Sequence, residues 1–122
     1  MNTTQAIILA AGKGTRLKSD IPKVLHLIAD KPMVHHVIES CQSANIHDIC
    51  LVVGYQKESI ISKCEPYNVD HCIQEEQLGT GHAVICAMDK IKASSSEQVI
   101  ILAGDCPLIQ SSTLTTLINH HI

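Results

Sequence analysis

The sequence predicts an α/β fold, a mainly parallel sheet flanked by helices, from three observations. Short apolar runs of strand length alternate with segments whose apolar residues recur at helical spacing. The core must be aliphatic: the 122-residue chain has no Trp, no Phe and 2 Tyr, yet is 45% hydrophobic, and Ile, Val, Leu and Ala suit strands buried on both faces. Finally, three of the four runs end in glycine-rich or acidic turns, and ligands of parallel sheets bind beyond the carboxyl ends of strands.

The first expected strand is 6–10 (AIILA), bounded by a glycine-containing loop over 11–21 and by Pro22. Pro32 suits the first turn of a helix. That helix carries Met33, Val34, Val37, Ile38, Cys41 and Ala44 at helical spacing, with Asn45 as its terminator. The second strand is 48–53 (DICLVV), closed by Gly54, and a short helix over 58–64 ends before Pro66. Residues 69–74 read as the third strand. Thr80 is the expected N-cap of a helix marked by Val84, Ile85, Met88 and Ile91. Residues 98–103 (QVIILA) form the fourth strand, and a last helix begins near Ser111 and Ser112. Right-handed crossovers then give a Rossmann-like sheet in one domain.

Composition narrows the function. Nine Lys and Arg against 12 Asp and Glu give a net charge of −3. That argues against a broad nucleic-acid or anionic-membrane partner, since both require a basic face. No apolar run reaches membrane-spanning length, and the polar first five residues lack the basic start of a secretory signal, so a cytoplasmic protein is expected. The six cysteines, Cys41, Cys50, Cys64, Cys72, Cys86 and Cys106, make no C-x-x-C pair and read as reduced thiols. The eight histidines show no metal-ligand spacing.

Three segments carry the chemistry. Leu9 to Arg16 (LAAGKGTR) follows the first strand. It matches neither the dinucleotide fingerprint, because Leu17 stands at the third glycine position, nor the P-loop. The small residues Ala10, Ala11, Gly12 and Gly14 still admit a ligand close to the backbone, whose N–H groups can bind phosphate oxygens or a base edge. Lys13, Arg16, Lys18 and Lys23 add positive charge. The second segment, Gln74 to Gly81 (QEEQLGTG), offers Gln74 as donor and acceptor for a pyrimidine edge and two glycines around Thr80 for close approach; a plain helix cap is the competing reading. Glu75 and Glu76 read as solvated, and His82 as packed against its own helix. The third segment (AGD) sets Asp105 at the end of an apolar strand, where a carboxylate must be paired, cap a helix or bind a cation. Beside a phosphate loop, magnesium is the expected partner.

These residues resemble a known family. LAAGKGTR at 9–16, PKVL at 22–25 and KPM at 31–33 are similar to the signature of sugar-nucleotide pyrophosphorylases. Ala11 leans toward the uridylyl branch. QEEQLGTGHA at 74–83 and AGDCPL at 103–108 resemble the N-acetylglucosamine-1-phosphate uridylyltransferase domain of the bacterial bifunctional uridylyltransferase–acetyltransferases. The resemblance runs over essentially the whole chain. It implies the nucleotide-diphospho-sugar transferase fold, with UTP and N-acetylglucosamine 1-phosphate as substrates. It implies that Leu9 is nucleotide-binding, that the backbone around Ala10, Ala11 and Gly12 holds the uridine, and that Gln74, Gly79 and Thr80 contact uracil and ribose. Arg16 and Lys23 would act as catalytic cations on the triphosphate, with Lys23 also nucleotide-binding, and Asp105 would bind Mg2+.

The resemblance also implies that residues 1–122 are the nucleotide-binding half of that domain. The family's sugar-binding half, and the β-helix domain through which it trimerises, are expected to lie outside these 122 residues. The expectation is that this chain binds UTP weakly and turns over little. Three rivals stand beside this reading: another sugar-1-phosphate nucleotidyltransferase, a non-catalytic nucleotide-binding module, and an α/β domain without a ligand.

Overall fold

A computed structural model describes residues 3–12 and 20–121. Its centre is a four-stranded parallel sheet of β1 (Thr4–Leu9), β4 (Asp48–Val53), β5 (Asp70–Ile73) and β6 (Gln98–Ala103), in the order β5-β4-β1-β6. A small antiparallel pair, β2 (Leu27–Ile28) and β3 (Lys31–Pro32), lies apart from it. The helices are α1 (Met33–Ser43), α2 (Lys57–Cys64), α3 (Thr80–Cys86), α4 (Met88–Ala93) and α5 (Ser111–His121).

Alternation along the strands divides the core between two faces. Ala6, Ile8 and Ala10 of the β1 segment, Ile49, Leu51 and Val53 of β4, and Ile100 and Leu102 of β6 meet α1, α2 and α5 through Val34, Val37, Ile38, Ile60 and Leu114. Ile7, Cys50 and Val52 face the opposite way and meet Ala83 and Ala87, with Ile91 partly buried behind them. The first two crossovers thus lie on one face while the chain steps outward from β1 to β4 to β5. The third passes over the other face and returns to β6 beside β1. The strand order reverses next to β1, and parallel sheets bind ligands at such a point.

Local chemistry explains the element ends. After α1, Asn45 takes a left-handed φ of 63°. Its N–H reaches the Gln42 carbonyl at 3.0 Å, and the N–H of buried Ile46 reaches the Cys41 carbonyl at 2.9 Å, a Schellman termination. Ala29 and Asp30, with φ of 51° and 65°, form the two-residue turn joining β2 to β3.

The expected helix over 80–91 is corrected in three respects. Gly79, not Thr80, is the N-cap, with φ 102° and no side-chain cap bond, and Thr80 is the first helical residue. The helix is split at Ala87 into α3 and α4. The face turned to the sheet is Ala83 and Ala87, while Ile85 is 66% exposed. The fourth strand is likewise not buried on both sides. As an edge strand β6 alternates, with Ile100 and Leu102 inside and Val99 and Ile101 outside. Among the described residues no helix is long and apolar enough to cross a membrane.

Candidate nucleotide site

The carboxyl ends of the strands surround one cavity of about 470 Å³, within the range that takes small ligands. It is lined by Leu9, Ala10, Ala11 and Gly12 after β1, by Gln74, Gly79 and Thr80 after β5, and by Asp105 after β6, with Lys23 across from it. The three expected segments therefore share one rim. Arg16, Lys13 and Lys18 lie outside the described residues. Sequence reasoning missed Val24, Gln77, Ala83 and Ala103, which also line the cavity. All four fall inside the motif strings, so their place was legible there, whereas their direction was not.

Each part of the rim is fixed by its own backbone. The first segment leaves the sheet gradually: the Ala10 N–H reaches the Val52 carbonyl at 2.8 Å and the Tyr55 N–H reaches the Ala11 carbonyl at 3.3 Å. Among the described residues the N–H groups of Ala11 and Gly12 enter none of the backbone bonds outside the regular elements, and such groups can bind an anion. A Cβ on Gly12 would meet no atom of the described residues within 4 Å.

Lys23 sits in a one-turn 3-10 segment, Lys23–Leu25. Val24 and Leu25 are driven into the core, and the Leu25 N–H bonds the Pro22 carbonyl at 2.9 Å. Two buried neighbours thus set the backbone of a residue whose own side chain stays at the cavity. Asp105 follows Gly104, whose N–H reaches the Leu9 carbonyl at 2.9 Å. An added Cβ at Gly104 would stand 3.0 Å from that carbonyl oxygen and 3.2 Å from Val24 Cγ1, so glycine lets the turn after β6 close against the first loop.

Lys23 Nζ and Asp105 Oδ2 are 3.0 Å apart, with both side chains more than a third exposed. A pair this solvated is worth about 0.2–1 kcal/mol, so incoming charges can separate it. Among the described residues Asp105 is the lone carboxylate lining the cavity, and no three His, Cys, Asp or Glu side chains gather around a common point. That donor set does not fit a metal held wholly by protein. It fits magnesium, which completes its shell with phosphate oxygens and water.

Gln74 continues the sheet, with its N–H 2.7 Å from the Val53 carbonyl, and is only 3% exposed. Its amide Nε2 lies 3.3 Å from the Gly79 carbonyl and 2.9 Å from His82 Nδ1. His82 is therefore engaged with the rim, beyond the expected packing on its own helix. Glu75 and Glu76 are exposed, as expected.

Comparison with known proteins agrees with this geometry. Residues 6–122 match the family described as the MobA-like NTP transferase domain. The bifunctional protein GlmU of Clostridium botulinum is 49% identical over 116 residues, covering 95% of this chain and 25% of that protein. The chain thus spans about a quarter of the length of the curated relatives it matches. Among solved structures, a nucleotidyl transferase from Methanothermobacter thermautotroptrophicus superposes with a TM-score of 0.85 at 17% identity, over 98% of this chain and 58% of that one, which speaks to the fold alone. HddC from Yersinia pseudotuberculosis, solved with GMP-PN, superposes with a TM-score of 0.77 at 33% identity, over 97% of this chain and 54% of that one. With a parallel sheet whose carboxyl ends enclose one cavity, and a family match running from β1 to the end of the chain, the protein belongs to the MobA-like NTP transferase domain family.

Proposed function

We propose that this chain is the nucleotide-binding part of an N-acetylglucosamine-1-phosphate uridylyltransferase. The observation that supports it most is the shared rim: Gly12, Lys23, Gln74, Gly79 and Asp105, distant in sequence, border one cavity at the switch in strand order. The 49% identity to the GlmU of Clostridium botulinum supports the uridylyl assignment.

In this reading the triphosphate of UTP lies along the first loop. The backbone around Ala10, Ala11 and Gly12 holds the uridine, and Lys23 leaves Asp105 to neutralise the triphosphate. Arg16, from the same sequence string, supplies a second cation. Gln74, Gly79 and Thr80 hold the base and ribose. Asp105 would hold magnesium, which when bound supplies further neutralisation of phosphate charge. The sugar phosphate oxygen attacks the α-phosphorus in line. A new P–O bond forms, the bond between the α-phosphorus and its bridging oxygen breaks, and that electron pair leaves with pyrophosphate. The nucleophile is already ionised, so the site needs no general base, and catalysis rests on positioning and charge. The sugar-binding part and the trimerising domain belong to the remainder of such an enzyme, and a cytoplasmic location fits this chemistry.

A guanylyl reading has one specific support, the 33% identity to a protein solved with GMP-PN. A thermal-shift panel of UTP, GTP, dTTP and CTP with magnesium separates the two. The uridylyl reading predicts the largest rise in Tm with UTP, and a rise with GTP alone would end it. A pyrophosphate-release assay is expected to show little turnover by this chain with UTP and N-acetylglucosamine 1-phosphate.

A further inference from the structure

The orientation of the Gln74 amide is set before any ligand arrives. A carbonyl only accepts hydrogen bonds, so the atom facing the Gly79 carbonyl at 3.3 Å must be the amide nitrogen. That same nitrogen lies 2.9 Å from His82 Nδ1. With one hydrogen directed to Gly79 and the other to His82, both donors of the amide are committed. Nδ1 must then accept, which places the imidazole proton on Nε2. Cys86 Sγ, 4.0 Å from each ring nitrogen, is too distant to compete. Gln74 Oε1 has no partner among the described residues. Among the described residues no side-chain oxygen or nitrogen sealed from solvent lacks a partner, so this oxygen is open, on a residue that lines the cavity.

We propose that His82 is a positioning residue for base selection: by accepting from Gln74 Nε2, it presents Gln74 Oε1 to the ligand as a fixed acceptor. The proposal rests on the uridylyl reading and adds its means of discrimination. An acceptor in that position suits the N3–H of a uracil ring and opposes the N3 lone pair of cytosine. Without an acceptor at position 82, the amide can turn, offer its NH2 group to the cavity and lose the distinction. The Gly79 carbonyl favours the same orientation through a longer bond, 3.3 Å against 2.9 Å, so loss of the His82 acceptor removes the shorter of the two restraints.

The test uses the whole chain and two readouts. The first is the His82 tautomer in the ligand-free protein, from long-range 1H–15N correlation spectra near pH 8. The proposal requires the proton on Nε2, and a protonated Nδ1 overturns it whatever the nucleotides do. The second is the ratio of UTP to CTP affinity, by calorimetry with magnesium. The native chain should favour UTP by about tenfold or more, the discrimination expected of one well-placed hydrogen bond to a buried amide. His82→Leu should bring the ratio to within about threefold of one, while His82→Asn, whose amide oxygen can still accept from Gln74, should keep the preference. If His82→Leu weakens both nucleotides equally and the ratio survives, His82 is merely structural and the proposal fails. If the native chain binds both alike with the Nε2 tautomer confirmed, the uridylyl reading fails and the selection role goes with it.

Discussion

Lys23 Nζ rests 3.0 Å from Asp105 Oδ2, so the turn after β6 and the 3-10 segment before β2 are joined across the cavity by an ion pair that a nucleotide would have to divide. Because the pair is well solvated, opening it costs about 0.2–1 kcal/mol. Each partner can then meet a stronger charge, phosphate for Lys23 and a divalent cation for Asp105. Lys23→Ala is expected to lower UTP affinity about tenfold or more, with or without magnesium. Asp105→Asn is expected to abolish the gain in UTP affinity that magnesium brings. Calorimetry of the two variants, with thermal melts showing stability within about 1 kcal/mol of the native chain, checks both.

Two glycines separate ligand space from fold. At Gly12 a Cβ meets no atom of the described residues within 4 Å, whereas at Gly54 it would stand 2.6 Å from the Gln74 carbonyl oxygen. Gly12→Ala should leave Tm unchanged or slightly raised and weaken UTP by intruding on the cavity. Gly54→Ala must displace backbone and should cost about 1–3 kcal/mol, measured by urea denaturation, with loss of UTP binding as Gln74 shifts.

Acid should loosen the junction of β3, α1 and the 3-10 turn Glu65–Tyr67. The Glu39 carboxylate accepts from Lys31 Nζ at 2.5 Å and from the Tyr67 hydroxyl. These bonds, Lys31 first, hold its pKa below the ordinary value of 4.5. A lowered folded pKa contributes stability that is present above the unfolded value and lost as pH falls through the folded one. The native urea midpoint should therefore fall more steeply below pH 4.5 than that of Glu39→Gln, so the two converge in acid. Parallel curves down to about pH 3 would contradict this.

The thiols should divide by burial. Cys41 and Cys64 lie in the core, and burial pushes both thiols up to about 11. Cys106 is exposed. Time-resolved alkylation near pH 7.5 should modify Cys106 first and leave Cys41 and Cys64 unmodified until unfolding. Labelling of Cys41 at the rate of Cys106 would mean that the core between α1 and the sheet is open.

Legibility followed how local the determining forces are. The bounds of β4 and β6 were readable because apolar runs between polar and glycine residues fix them, and Asn45 announced the end of α1 through its tolerance of left-handed φ. The convergence of Gly12, Gly79 and Asp105 was readable from the parallel topology. The break at Ala87 was not, since Val84, Ile85, Met88 and Ile91 suggest one continuous helix. The sheet takes only the small Ala83 and Ala87 at close approach and leaves Ile85 outside. Nor was the turn at Ala29 and Asp30 readable, because nothing in alanine itself favours a positive φ; the pairing of β2 with β3 imposes it. His82 was placed on its helix by position alone, and only the three-dimensional path of Gly79 and Gln74 brings it into the site.

The central claim is tested most directly by titrating the 15N-labelled chain with UTP and magnesium and mapping the amide shifts. The account predicts that they concentrate at Ala11, Gly12, Gln74, Gly79, Thr80 and Asp105 around the cavity at the carboxyl ends of the strands. Shifts gathered instead at Thr4, Asn45, Asp48 and Ser96, which line the cavity at the opposite end of the sheet, would contradict it.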